Sequence, residues 1–278
     1  MDRTWVRVRR VFDSIPVGLS AVDIPPEQWL LALILPGYAY VLLRRNGMAL
    51  LMVAGWLLGL LAFLIFLGNT WVMGWALGAM ASSHSSGQGF LILREREQNT
   101  DVPGLGLLER LWIPLACWFG CMSMIYWPAG NAFQTRIALP IQVAGKQVII
   151  DATTPLKSLN RGEPVAYHLD PEVFGVARSR GGYGFDVVLG LPGDHVVFGP
   201  QDVRVNGRPF SRRREMPPEG ELFLKNGMFL IWPTLEERVV NIDRSLVDQA
   251  YYRLALVPEA KVIGRPFRHW FFRTQPIP

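Results

Sequence analysis

Apolar residues are unevenly spread along this chain. Between residues 28 and 128 they form long blocks with few charges, and beyond Asn131 they break into short β-prone runs separated by glycine, proline, asparagine and aspartate. Three blocks, 48–67, 71–93 and 107–127, match the roughly 20 residues that a helix needs to cross a bilayer core. The middle block is interrupted by Ser82, Ser83, His84, Ser85, Ser86 and Gly87. It therefore either ends early or turns those hydroxyls onto helix carbonyls or a neighbouring helix. A fourth stretch, 28–43, is shorter and broken by Pro36 and Gly37, which suits an interfacial or re-entrant hairpin.

Beyond the last block, runs at 143–150, 164–169, 185–191, 196–198, 203–205, 222–224 and 228–232 are rich in β-branched or aromatic residues. Asn206-Gly207 between two of them predicts a tight type I′ hairpin turn. The expected fold is an α-helical membrane anchor of about three transmembrane helices, residues 1–128, followed by a mainly antiparallel β domain, residues 129–278.

Charge fixes the expected topology. With three spans, Arg3, Arg7, Arg9, Arg10, Arg44, Arg45, Arg94, Arg96 and Arg110 all fall on the cytoplasmic side, where basic loop residues stay. Everything after Trp127 is then extracytoplasmic. The N-terminal segment has no apolar core followed by a small-residue cleavage site, so no cleavable signal is expected.

Composition agrees with a lipid bilayer as partner: 278 residues, 50% hydrophobic, with a mean hydropathy of +0.20. The net charge of +5 does not point to nucleic acid, because much of the excess lies in the loops just described. Arg212, Arg213 and Arg214 form a separate basic run, read as a solvated loop, with contact to anionic headgroups as the alternative. No zinc-ligand spacing, aromatic-basic surface or phosphate-cradling loop is present, so no nucleic acid, metal or cofactor is expected. Cys117 and Cys121 share a helix face in the third span and read as packing residues. His84, His168, His195 and His269 lack the pairing of a helical metal site and read as surface or packing histidines.

Five strings stand in a fixed order: RGEPV at 161–165, VLGLPGD at 188–194, VRVNG at 203–207, PEGELF at 218–223 and VPEAKVIGR at 257–265. With them the chain resembles the type I signal peptidase family across roughly residues 149–272. That resemblance implies a membrane-anchored endopeptidase of a bacterial-type plasma membrane. Such an enzyme cuts signal peptides at the outer face with a serine nucleophile and a neutral lysine as general base.

The two essential positions differ here. Eight residues before Gly162 stands Thr154 in the serine's place, with Pro155 and Lys157 where a methionine and a proline accompany it, and Ala152 where a second hydroxyl would assist. Eight residues before Asp194 stands Asp186 in the lysine's place, followed by Val187 instead of a basic residue. Only Lys146, Lys157, Lys225 and Lys261 occur in the chain, and arginines stay protonated. The family's glycine-aspartate-asparagine-arginine loop is missing. Asn226, Gly227 and Met228 occupy its start, and Asp243, Arg244, Ser245 and Asp248 are a faint remnant.

Thr154 is accordingly expected as a turn hydroxyl and Asp186 as a surface or turn carboxylate. Gly162, Gly190, Pro192, Gly193, Asp194 and Gly264 are expected as scaffold. Lys157 and Ser158, being adjacent, would face opposite ways in an extended segment and make no dyad. The expected function is that of a signal-peptidase-like integral membrane protein, a non-catalytic homologue that binds or helps assemble exported polypeptides. An extended signal peptide would add as a strand beside residues 148–154. The alternative is an active membrane endopeptidase with a rearranged site.

Overall fold

The computed structural model describes residues 24–99, 107–171, 173–174, 177–178, 181–213, 216–234 and 244–274. Arg3, Arg7, Arg9, Arg10, Arg214 and Asp243 lie outside these residues. The chain divides into two compact units, Met1–Gly130 and Asn131–Pro278.

The first unit is helical. Its elements are α1 (Pro26–Ile34), α2 (Tyr38–Leu42), α3 (Asn46–Ile65), α4 (Thr70–Asn99) and α5 (Leu107–Cys121), which runs through a π-turn, Met122–Tyr126, into α6 (Trp127–Arg136), a helix that continues past Gly130 into the second unit. The stretches Asn46–Ile65 and Leu108–Arg136 are long and apolar enough to cross a membrane. Only 17% and 11% of their most apolar windows are buried, whereas the core helix of a soluble protein would be mostly covered. The expected middle span is different. Helix α4 continues through 82–87 to Asn99 without a break, yet it is not apolar enough to count. Two helices rather than three therefore meet both criteria among the described residues.

The polar stretch of α4 is used both internally and between helices. Ser82 Oγ donates to Gly78 O at 2.8 Å and accepts the Trp118 indole N–H at 3.1 Å. His84 Nδ1 lies 2.9 Å from the Tyr126 hydroxyl, which also accepts the Trp56 indole N–H at 2.8 Å. Gln88 Nε2 donates to Ala32 O at 3.2 Å, satisfying a carbonyl in the last turn of α1 just before the Pro36-Gly37 break. Gly37 makes that break with φ +80°.

The second unit is mainly antiparallel β. Its first strands are β1 (Ala138–Val143), β2 (Lys146–Asp151), β3 (Pro164–Leu169), β4 (Val173–Phe174), β5 (Ala177–Arg178), β6 (Gly182–Gly190), β7 (His195–Phe198) and β8 (Asp202–Val205). Then follow β9 (Arg208–Ser211), β10 (Gly220–Phe223), β11 (Met228–Ile231), helix α7 (Arg244–Ala255), β12 (Leu256–Pro258), β13 (Val262–Pro266), β14 (His269–Trp270) and β15 (Arg273–Thr274). Seven of these strands form a sheet in the order β1-β2-β13-β3-β6-β11-β12, and β10-β7-β8-β9 form a second.

The runs at 185–191 and 228–232 form strands whose two faces enter different cores. In β6, Val188 enters one core cluster and its neighbour Leu189 another. In β11 and just beyond, Phe229 and Ile231 face the first cluster while Leu230 and Trp232 face the second. Neighbouring residues point to opposite sides of a strand, so the stretch that lies between two cores is apolar at successive positions. The hairpin expected at Asn206-Gly207 forms with φ +52° and +80°, joining β8 to β9 with Val205 opposite Arg208. The run at 143–150, expected as one strand, is instead divided between β1 and β2. Ala144 and Gly145 turn the chain there with φ +47° and +75°.

Candidate functional site

The chain leaves β2 at Asp151 into a tight turn, and Thr154, singled out from the sequence, lies within it. Thr154 is 6% exposed, and its Oγ1 donates to Asp151 O at 2.9 Å. The neighbouring Thr153 is the exposed hydroxyl. Its Oγ1 donates to Asp151 Oδ1 at 2.6 Å, and its backbone N–H donates to the same oxygen at 3.0 Å. Ser158 closes the segment by donating to Pro155 O at 2.7 Å, and Lys157 is exposed on the same 3₁₀ turn. Strand β13 lies against this turn, with Arg265 opposite Asp151. A methyl group added to Gly264 would strike the Asp151 carbonyl and approach Thr154 Cβ at 3.5 Å. Gly264 is therefore required by the close approach of β13 to the turn.

Asp186 corrects the expectation of a surface carboxylate. It lies inside β6, opposite Val165 of β3, and is 5% exposed. Oδ1 accepts the Thr234 hydroxyl at 2.6 Å and Arg213 Nη1 at 3.1 Å, and Oδ2 accepts the Tyr167 hydroxyl at 3.1 Å. The Thr234 backbone N–H is 3.2 Å from both oxygens. Arg213 also donates to Trp232 O at 3.0 Å and to Thr234 Oγ1 at 2.8 Å. Arg213, read from sequence as part of a solvated loop, is instead the counter-charge of a buried carboxylate. Burial, with the Asp186 charge beside it, pushes the Tyr167 hydroxyl far above its ordinary pKa, so it stays protonated and donates.

Gly184 makes this arrangement possible, since a Cβ there would overlap the Tyr167 ring. Among the described residues no hydrogen bond joins Thr154 to Asp186. The hydroxyl is committed to its own turn, and the carboxylate is enclosed by donors.

The VLGLPGD string forms a third polar centre. After β6 the chain turns through Gly193, φ +87°, and Asp194 reaches back to accept the Leu191 N–H at 2.7 Å. Arg161, just before Gly162, grips Asp194 with Nε at 2.7 Å and Nη2 at 2.5 Å, and Asn206 Nδ2 donates to it at 2.8 Å. Burial alone would raise the Asp194 carboxyl, but the Arg161 guanidinium, the Leu191 N–H and the Asn206 amide outweigh it and hold the group below the usual carboxylate range. Gly162 has φ +86° and its N–H donates to Val188 O at 2.8 Å, which docks the arginine-bearing turn on β6. Three of the sequence strings thus meet at one carboxylate.

Lys261 is paired with Asp170, so that lysine is held by a carboxylate rather than by a nucleophile. The described residues contain no cluster of three His, Cys, Asp or Glu side chains fit to hold a metal. Sequence reasoning missed Thr153 and Thr234. Thr153 is one residue from the counted position, and nothing local marks Thr234, which lies 48 residues from its partner.

A β-rich domain following apolar, membrane-length helices is the class this architecture defines. No protein-family model matches the chain, and no curated protein matches it. Among solved structures it is similar to a signal peptidase I from Enterococcus faecalis V583, at 16% identity over 40% of this chain and 98% of that one, with a TM-score of 0.26.

Proposed function

We propose that this chain is a signal-peptidase-like integral membrane protein that has given up serine-lysine proteolysis and binds or helps assemble exported polypeptides. Its β domain is extracytoplasmic in this reading, and its partners are the lipid bilayer and a signal peptide or exported chain. The observation that carries the proposal is the state of Asp186. A general base needs a free lone pair within reach of a hydroxyl. This carboxylate is buried, paired with Arg213 and enclosed by Thr234 and Tyr167, with no bond to Thr154.

A second reading, an endopeptidase with a rearranged site, draws on the exposed Thr153 hydroxyl and its 2.6 Å bond to Asp151. The same contact is what a local turn makes when an aspartate bonds two residues ahead, so it favours structure over catalysis.

The test uses purified full-length protein in detergent with a labelled signal-peptide segment. Saturable binding without cleavage, unchanged by Thr154→Ala, is the expected result. Cleavage abolished by Thr154→Ala overturns the proposal. Cleavage abolished by Thr153→Ala overturns it in favour of the second reading.

A further inference from the structure

Two buried polar side chains of the helical unit face the break after α1. His84 is 3% exposed and Gln88 7%, and they stand one turn apart on α4. Pro36 has no N–H to give the Ala32 carbonyl, and the Gln88 amide supplies that donor at 3.2 Å. His84 is satisfied on one side only. Its Nδ1 lies 2.9 Å from the Tyr126 hydroxyl, which accepts the Trp56 indole N–H at 2.8 Å. The arrangement that uses every donor has the Tyr126 O–H donating to Nδ1, so the neutral ring carries its proton on Nε2. That Nε2–H is buried and has no hydrogen-bond partner among the described residues. The Ala32 and Leu33 carbonyls lie near the ring, yet neither meets hydrogen-bond geometry with it. A buried donor left unmet costs free energy, and a ligand that brings an acceptor recovers it.

A cavity of about 570 Å³ opens beside these residues, lined by Trp29, Leu30, Ala32, Leu33, Gln88 and Ile92. His84, Gln88 and Ile92 recur every fourth residue along one face of α4, so His84 stands at the end of the cavity wall. A helix with its side chains is about 10 Å across, so this volume would hold little more than one turn, and a helical polypeptide segment does not fit. Depth narrows the ligand further. About ten residues of α4, roughly 15 Å, separate His84 from Arg94, the first charged residue after it. That is half of a ~30 Å hydrocarbon core, so with Arg94 at the headgroup level a charged lipid headgroup stays out of reach of the imidazole.

We propose that this cavity binds an uncharged, lipid-soluble carbonyl compound, whose oxygen accepts the His84 Nε2–H while its apolar body lies among Leu30, Leu33 and Ile92. A quinone ring and the carbonyl of an acyl ester without a charged headgroup share that chemistry. The Trp29 indole offers a flat ring a face to stack on, which favours the quinone. The inference concerns the helical unit alone and does not depend on whether the β domain cleaves or only binds polypeptides.

The test irradiates full-length protein in detergent with a benzoquinone carrying a short diazirine-tagged alkyl chain, and maps the label by mass spectrometry. Labelling should saturate, fall on α1 and on the 84–92 stretch of α4, and be displaced by untagged decylbenzoquinone. His84→Phe removes the donor and keeps an apolar ring, so the apparent affinity should fall about fivefold with the helical circular dichroism unchanged. His84→Gln retains an N–H donor and should lose less. Trp29→Leu reports independently of His84 and should weaken quinone labelling several-fold. Displacement by decylbenzoquinone but not by methyl palmitate supports the ring, and equal displacement by both supports the acyl carbonyl as a ligand of the same site. Labelling that does not saturate, or that spreads equally over the exposed faces of α3 and α5, overturns the proposal. So does unchanged affinity in both His84→Phe and Trp29→Leu.

Discussion

Removing the Asp194 carboxylate should open the centre of the β domain, and the cost can be worked from its partners. Asp194→Ala deprives the two Arg161 N–H groups, the Leu191 N–H and the Asn206 amide of their acceptor. Hydrogen bonds to a charged group contribute about 1.5–3 kcal/mol each, but they are not additive. The Arg161 side chain, 29% exposed, recovers water when released, so the whole loss should be about 3–5 kcal/mol. Arg161→Met should cost only about 1–2 kcal/mol, because the Leu191 and Asn206 donors still solvate the carboxylate.

Hydrogen exchange measured by mass spectrometry on peptides spanning β6 to β8 reads this directly. At 1.4 kcal/mol per tenfold, Asp194→Ala should speed their protected amides by about a hundredfold to a few thousandfold. The pH dependence has a definite sign. The folded-state pKa lies below the unfolded value of about 4, so the stabilisation is complete above that value and is lost as pH falls through the folded one. The penalty of Asp194→Asn should therefore shrink as pH falls from 7 towards 3. An Asp194→Ala effect under tenfold, or a penalty that does not change with pH, would refute the clamp.

Three further outcomes are expected. Arg213→Met should lower stability by about 1–3 kcal/mol, since Asp186 loses its counter-charge but keeps the Thr234 and Tyr167 donors, whereas Asp186→Leu with Arg213→Met should lower the melting temperature further, because the buried Tyr167 hydroxyl and the Thr234 N–H then lose their acceptor. Gly264→Ala, with its methyl directed at the Asp151 carbonyl, should cost about 1–3 kcal/mol and show as faster exchange of the β2 amides, while Gly145→Ala, which meets nothing within 4 Å and only a positive φ, should cost less. A thiol reagent that cannot cross membranes should label Gly145→Cys from the extracytoplasmic face and Arg96→Cys from the cytoplasmic face; labelling of Gly145→Cys from the cytoplasm alone would refute the topology proposed above.

What could be read from the sequence was mostly what depends on near neighbours. The Asn206-Gly207 turn was evident because its two residues meet its φ demands without outside help. The turn at Ala144-Gly145 was concealed, because alanine carries no turn signature and the flanking apolar residues read as one run. The β-rich character was evident, but the division of 187–191 and 228–232 between two cores was not, since a strand apolar on both faces has no period to detect. Counting located Thr154 and Asp186, yet it could not foresee their surroundings. The partners of Asp186 lie 19, 27 and 48 residues away and are brought together only by sheet pairing. For the same reason Arg213 looked solvated, since a paired, half-buried arginine differs from a free one only through its partner.

The Asp186–Arg213 pair also bears on how readily a lysine could occupy this place in descendants of the chain. A lysine arriving first at 186 would place a second cation beside the Arg213 guanidinium and remove the carboxylate that neutralises it. Loss of Arg213 first would leave a buried anion without its counter-charge. Each single step is harmful, so substitution at either position depends on what stands at the other. Such coupling works like a ratchet, holding the carboxylate and the guanidinium in place because neither can leave first without cost.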